Sequence, residues 1–215
     1  MKQFFKGMYQ KKNFKIRLIL VTLAVIMMGF ALSWLVLVDF GTDPCSCMNM
    51  AIAARLGLTF GTWQALFNTF FFIFVFLFGR EHIGFGTFAN MFLVGYSCDF
   101  FSWIWSMLLP ANLFQFMLLR CIMLVLAITL FVFAAAVYMD VKLGSSPYDA
   151  LPFMIAERLH RLSFRAVRIL FDFSVILIGF CLGGNVGIVT ILMGFSLGPV
   201  ITFVGNKISR LVKTD

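Results

Sequence analysis

Charge is what this sequence has least of. Only 12% of its 215 residues are charged while 62% are hydrophobic, which leaves too little polar surface to coat a soluble globule. Histidine is down to two residues, His82 and His160, and neither an HExxH nor a GxSxG accompanies them, so zinc-hydrolase and serine-hydrolase chemistry lack their residues. No glycine-rich loop ends in lysine, which removes the phosphate cradle of an ATPase subunit. The five cysteines (Cys45, Cys47, Cys98, Cys121, Cys181) are odd in number and form no CxxC pair, so neither a disulfide framework nor a zinc site is signalled. Cys45 and Cys47, with Met48 and Met50 nearby, offer soft ligands to Cu(I), but without the spacing of a copper cluster. The expectation is a protein that is not an enzyme and holds neither metal nor cofactor.

Apolar runs are what the chain has in excess. The first, Leu18 to Val38, carries no charge and at helical rise is roughly 30 Å long, the thickness of a bilayer core. It is too long for a signal peptide and no small-x-small cleavage pattern follows it, so it reads as a retained span. Turn residues divide the rest into further spans, giving six in all: 18–38, 60–79, 83–105, 113–139, 165–183 and 186–206. All the lysines and arginines except Arg55 and Arg120 then fall on the N-terminal side of the membrane. Retention of basic residues in the cytoplasm predicts a bacterial inner-membrane protein with both termini cytoplasmic. The net charge of +8 therefore speaks to topology and anionic lipid, not to nucleic acid.

The chain also repeats itself. A shift of 103 or 104 residues lays "GTDPCSCMNMAIAARLGLTF" (Gly41 to Phe60) on "GSSPYDALPFMIAERLHRLSF" (Gly144 to Phe164). Leu66, Phe67 and Asn68 then meet Leu170, Phe171 and Asp172; Gly84 and Thr87 meet Gly187 and Thr190; Gly95 meets Gly198. Coincidence of glycines, prolines and polar residues is not a product of shared apolar composition. The predicted fold is an all-α integral membrane protein with about six transmembrane helices in two inverted three-span repeats, because an odd number of spans turns the second copy upside down. Residues 1–17 form a basic cytoplasmic N-terminus, 18–105 the first repeat, 113–206 the second and 207–215 a cytoplasmic tail.

Each repeat contains a short proline-started helix, interfacial or re-entrant. Asp43 before Pro44, and Ser146 before Pro147, have the chemistry of helix caps, and proline is tolerated at the first helical position because its missing N–H would be unpaired there. Asp149, three residues after Ser146, suits a capping box. If both helix starts dip inward, their backbone N–H groups face an anionic group or an ordered water.

Ionisable and amide side chains inside a bilayer are costly unless they face protein or water. Gln64 and Asn68 lie one turn apart, as do their repeat counterparts Arg168 and Asp172, which also have the spacing of an ion pair. These residues, with Asp43, Asn90 and Asp99, are the candidate solute-binding set; interhelical hydrogen bonding is the alternative for each. Arg120 can snorkel outward and pair with Asp99 or Asp43. Gly194 and Gly198 have the spacing of close helix packing.

The segments "GTDPCSCMNMAIAARLGLTFGTWQ", "FGREHIGFGTFANMFLVGYSCDFF", "GSSPYDAL" and "GIVTILMGFSLGPV" resemble the YczE/YitT-type family of bacterial inner-membrane proteins, from the first span to about residue 204. That family's "SFGT" and "GxGT" steps correspond to Thr59-Phe60-Gly61-Thr62 and Gly84-Phe85-Gly86-Thr87; Thr59 replaces the usual serine, and the second copy has Arg165 in place of a glycine. The resemblance implies a multi-pass bacterial membrane protein.

Two functions are open to such a chain. One is a small secondary transporter or permease for a small polar or anionic solute bound between the repeats. The other is a non-transporting membrane subunit that docks a protein through the basic helix at 147–165. Besides the lipid bilayer, the expected partner is an unknown small solute, and a homo-oligomer or protein partner stays open.

Overall fold

Long apolar runs that leave water have one local way to satisfy their backbone groups, the α-helix. The computed structural model describes residues 13–110, 113–159 and 162–211; the lysines before Asn13, His160, Arg161 and Lys213 lie outside the described residues. Among the described residues there are eight α-helices: α1 (Phe14–Val38), α2 (Pro44–Leu56), α3 (Phe60–Phe78), α4 (Phe85–Leu108), α5 (Met117–Asp140), α6 (Pro147–Arg158), α7 (Phe164–Cys181) and α8 (Ile188–Leu211). Of these, α1, α3, α4 and α5 are long and apolar enough to cross a membrane. The chain is an all-helical membrane protein. Its other two long helices sit where the fifth and sixth spans are expected: α7 carries Arg165, Arg168 and Asp172 within 18 residues, and the apolar stretch of α8 covers Ile188–Pro199.

α1 is the central element and packs against both α4 and α5. It contributes Val21, Val25, Leu32 and Leu35 to the largest core cluster. Small residues set how closely helices approach. A Cβ on Gly29 would lie 2.5 Å from the Ser97 Cβ, and one on Gly95 would lie 2.7 Å from the Gly61 Cα, so α1 and α3 meet α4 almost backbone to backbone. In α8 a Cβ on Gly194 would meet Ile176 of α7 at 2.9 Å, whereas Gly198 has open space around it. Among the described residues, an added Cβ meets a close neighbour at the first of that glycine pair and none at the second.

Side-chain caps start both short helices as expected. The Asp43 carboxylate accepts from the Ser46 N–H at 3.1 Å, and the Ser146 hydroxyl accepts from the Asp149 N–H at 3.0 Å. Thr59 and Ser163 cap α3 and α7 in the same way. The short helices cross over: α2 packs against α7 as well as its neighbour α3, and α6 packs against α3 as well as its neighbour α7.

The connections preceding α2 and α6 are tied down by one contact made twice. Gly86 N–H donates to Leu143 O at 2.8 Å, and Val189 N–H donates to Phe40 O at 3.2 Å. Residues 40 and 143, and residues 86 and 189, are both 103 apart. At each crossing a glycine follows in the left-handed region (Gly41, φ +95°; Gly144, φ +102°), and a second glycine (Gly187, Gly84) leaves room for the facing carbonyl.

Arg120 reaches the connection after α1 without pairing to Asp99 or Asp43. Its guanidinium donates to Val38 O at 2.6 and 2.9 Å and lies 4.4 Å from the centroid of the Phe40 ring. The reason is helix-end chemistry: the last carbonyls of α1 lack intrahelical partners and attract a cation.

Candidate functional site

The starts of α2 and α6 converge on one cavity of about 250 Å³. From α2 it is lined by Asp43, Cys45 and Ser46, and from α6 by Ser146, Tyr148 and Asp149. These two triplets are related by the same shift of 103 residues. The relation extends into the walls, where Met28 of α1 corresponds to Phe131 of α5, and Val94 of α4 to Leu197 of α8, all four lining the cavity. α2 and α6 both begin buried, at Pro44 and Pro147, and end exposed, at Leu56 and Arg158.

Of the seven residues expected to bind solute, Asp43, Gln64, Asn68, Asn90 and Arg168 line the cavity. Asp172 stands just behind, held by cavity residues. Asp99 lies elsewhere: its carboxylate accepts from the Gly61 N–H at 2.8 Å, satisfying one of the free donors at the start of α3. The caps Pro44 and Pro147 are buried, and neither is among the lining residues.

One side of the cavity is a charged network. The Arg168 guanidinium donates through Nε to Asp172 Oδ2 and through Nη1 to Asp149 Oδ1, each at 2.8 Å. The Tyr148 hydroxyl donates to the other Asp172 oxygen at 2.6 Å, and the Ser146 hydroxyl donates to Asp149 at 2.7 Å. Arg168 also sits 5.4 Å from the centroid of the Tyr148 ring. The expected Arg168–Asp172 pair on one helix face is thus present, and α6 adds a second carboxylate to it.

The other side is open in hydrogen-bonding terms. Asp43 Oδ2, Gln64 Oε1 and Asn68 Oδ1 are buried and have no partner, although their residues are only 7%, 5% and 2% exposed. Buried acceptors that lack donors are costly unless something fills the space they face. Below them Trp63 Nε1 donates to Asn49 Oδ1 at 3.0 Å, and Asn49 Nδ2 donates to Cys45 Sγ at 3.3 Å, which fixes the first turn of α2 against α3.

Sequence reasoning placed Asp149 as a cap only and missed Tyr148. The signal was present in the repeat, since Tyr148 falls on Cys45 and Asp149 on Ser46. Cys47, by contrast, turns away and meets Asn185 O at 3.4 Å, so the two sulfurs do not form a ligand pair. Apart from the cavity, Glu81, His82 and Glu157 bring one ligand atom each within 4.8 Å of one another, and both glutamates are exposed.

Comparison with known proteins agrees with a membrane identity. A model described as a family of unknown function (DUF6198) matches residues 15–206. An uncharacterized protein of Haemophilus influenzae is 32% identical over 198 residues, covering 91% of this chain and 85% of its own. The uncharacterized membrane protein YczE of Bacillus subtilis is 28% identical over 163 residues, 76% of this chain and 73% of its own. The resemblance to YczE-type proteins is borne out. No solved structure matches the chain.

Proposed function

The chain belongs to the family of unknown function DUF6198, and from that premise we propose that it is a small secondary transporter or permease of the bacterial inner membrane. On this reading it has six spans in two inverted repeats, with both termini cytoplasmic and the solute site between the repeats. The observation that carries it is the convergence of two capped, proline-started helices, one from each half of the chain, on a single cavity whose mostly apolar wall carries buried polar side chains. Helices that begin at a central site and unwound connections held by the opposite half are how transporters expose backbone and polar groups at depth without facing lipid. The reciprocal bonds of residues 86 with 143 and 189 with 40 support a two-fold relation between the halves. Pairing of Gln64 and Asn68 with Arg168 and Asp172 supports an asymmetric site built from symmetric positions.

Rocking of one half against the other would open the cavity alternately to either side. The test starts from a thermal-shift screen of small metabolites on the purified protein. A compound that stabilises the wild type is expected to do so by binding, to lose its effect in Asn68→Ala, and to exchange across proteoliposomes containing the wild type only. Full ligand response in Asn68→Ala and Asp172→Ala would place the site elsewhere. Binding without exchange would overturn transport in favour of a docking subunit.

A further inference from the structure

The cavity's hydrogen-bonding and charge pattern points past its existence to the class of its occupant. We propose that it binds a small organic cation of the primary-ammonium class, with Asp43 as the counter-ion. This rests on the solute site above and replaces the anionic solute expected from the two helix starts.

Three observations oppose an anion. Arg168, the one cation among the described lining residues, is already paired with Asp149 and Asp172. Counting Asp43, three carboxylates stand in and behind this cavity against one guanidinium. The helix starts have spent part of their pull as well, because proline has no N–H to offer, the Ser46 N–H is taken by Asp43 and the Asp149 N–H by Ser146, which leaves one first-turn N–H at each start, that of Cys45 and that of Tyr148.

What is free is acceptors. Asp43 Oδ2, Gln64 Oε1 and Asn68 Oδ1 are unpartnered oxygens of three residues that line one cavity, and a primary ammonium carries three N–H donors. The amides of Gln64 and Asn68 can turn either end to a ligand; the Asp43 carboxylate, when ionised, can only accept, and in that state it sets the sign. A bare hard cation fits less well, since it takes six or more oxygens and much of this cavity is hydrocarbon and ring. Phe131, Tyr138, Tyr148, Phe153 and Phe164 line it, the last two stacked with centroids 4.2 Å apart. Such rings cover an alkyl chain and attract an ammonium through their faces.

The experiment compares n-propylammonium chloride with sodium propionate, of similar length and opposite charge, on the purified full-length protein, with potassium chloride as the ionic-strength control. Propylammonium is expected to raise the melting temperature and propionate to leave it at the salt control. Asp43→Asn keeps a good helix cap and is expected to weaken propylammonium binding at least about tenfold, as when a buried charge-assisted bond becomes neutral. Gln64→Leu, which removes a second acceptor without touching the cap, is expected to weaken it too. A preference for propionate, no response to propylammonium, or an unchanged affinity in Asp43→Asn overturns the assignment. Counterflow in proteoliposomes separates this from transport. Propylammonium that binds without exchanging removes the transporter and leaves the cation site, whereas exchange of propionate alone does the reverse.

Discussion

Arg168 shows how a single residue can be legible in a sequence and still be misread. Its pairing with Asp172 follows from helical spacing alone, and the two meet at 2.8 Å. The second partner, Asp149, and the Tyr148 hydroxyl on Asp172 come from α6, and no periodicity within one helix announces a contact made by another. Polar residues in apolar helices could be picked out by rarity; tyrosine could not, because its ring looks like packing until its hydroxyl is placed. Asp99 was visible for the same reason as Asn68, yet its depth along α4 puts it on the Gly61 amide instead of the cavity. Tyr148→Phe removes a bond to a charged group that is 3% exposed, and is expected to destabilise the protein by about 1.5–3 kcal/mol. Asp172→Ala is expected to cost at least as much, since it leaves both the tyrosine hydroxyl and one edge of Arg168 without a partner. Equilibrium unfolding in detergent checks both, and loss in Asp172→Ala alone would mean that the tyrosine hydroxyl's bond contributes little and that Arg168 is what Asp172 holds.

At the scale of elements, the two connections before α2 and α6 make the sharpest statement. Breakers marked the ends of the apolar runs, which is why the long helices fall close to their expected limits. What breakers do not reveal is which distant helix a loop will touch. Here the glycines that coincide in the repeat are the ones at the crossings: a Cβ on Gly84 would run into Leu143 O, and one on Gly187 into Phe40 O. Both obstacles are backbone carbonyls that also accept hydrogen bonds, so neither can step aside without breaking one. Gly84→Ala and Gly187→Ala are therefore expected to destabilise to a similar degree, about 2 kcal/mol or more each. Gly198→Ala, with open space around it and helical backbone, is expected to stay within about 1 kcal/mol of the wild type. A tolerated Gly187→Ala beside a damaging Gly84→Ala, read from thermal melts, would show that the two crossings are not equivalent.

For the whole molecule, the deciding quantity is how many times the chain crosses the bilayer. Four helices meet the length and apolarity of a span outright. A four-span chain would keep everything after Asp140 on one side, whereas two inverted repeats require α7 to cross outward and α8 to return. Of the three charges that keep α7 from looking like a span, two are turned inward, since Asp172 is buried and the Arg168 side chain is 16% exposed, and Arg165 is exposed in the first turn, while Leu170, Phe173, Leu177 and Phe180 face outward. A helix with its polar groups on protein and its apolar groups on the outside is suited to lipid even when its average hydropathy is modest. Cys181, exposed at the end of α7, reports the outcome. With the other four cysteines replaced by alanine, a membrane-impermeant maleimide on intact cells is expected to label Cys181. In a fully cysteine-free background it is expected to label Phe116→Cys, before α5, and to spare Glu81→Cys, between α3 and α4. Labelling of Cys181 only after the membrane is opened, with Phe116→Cys still labelled outside, would leave α7 on the inner side. The residues that match at a shift of 103 would then not follow matching membrane paths, and the converging helix starts would need an explanation other than the proposed inverted symmetry.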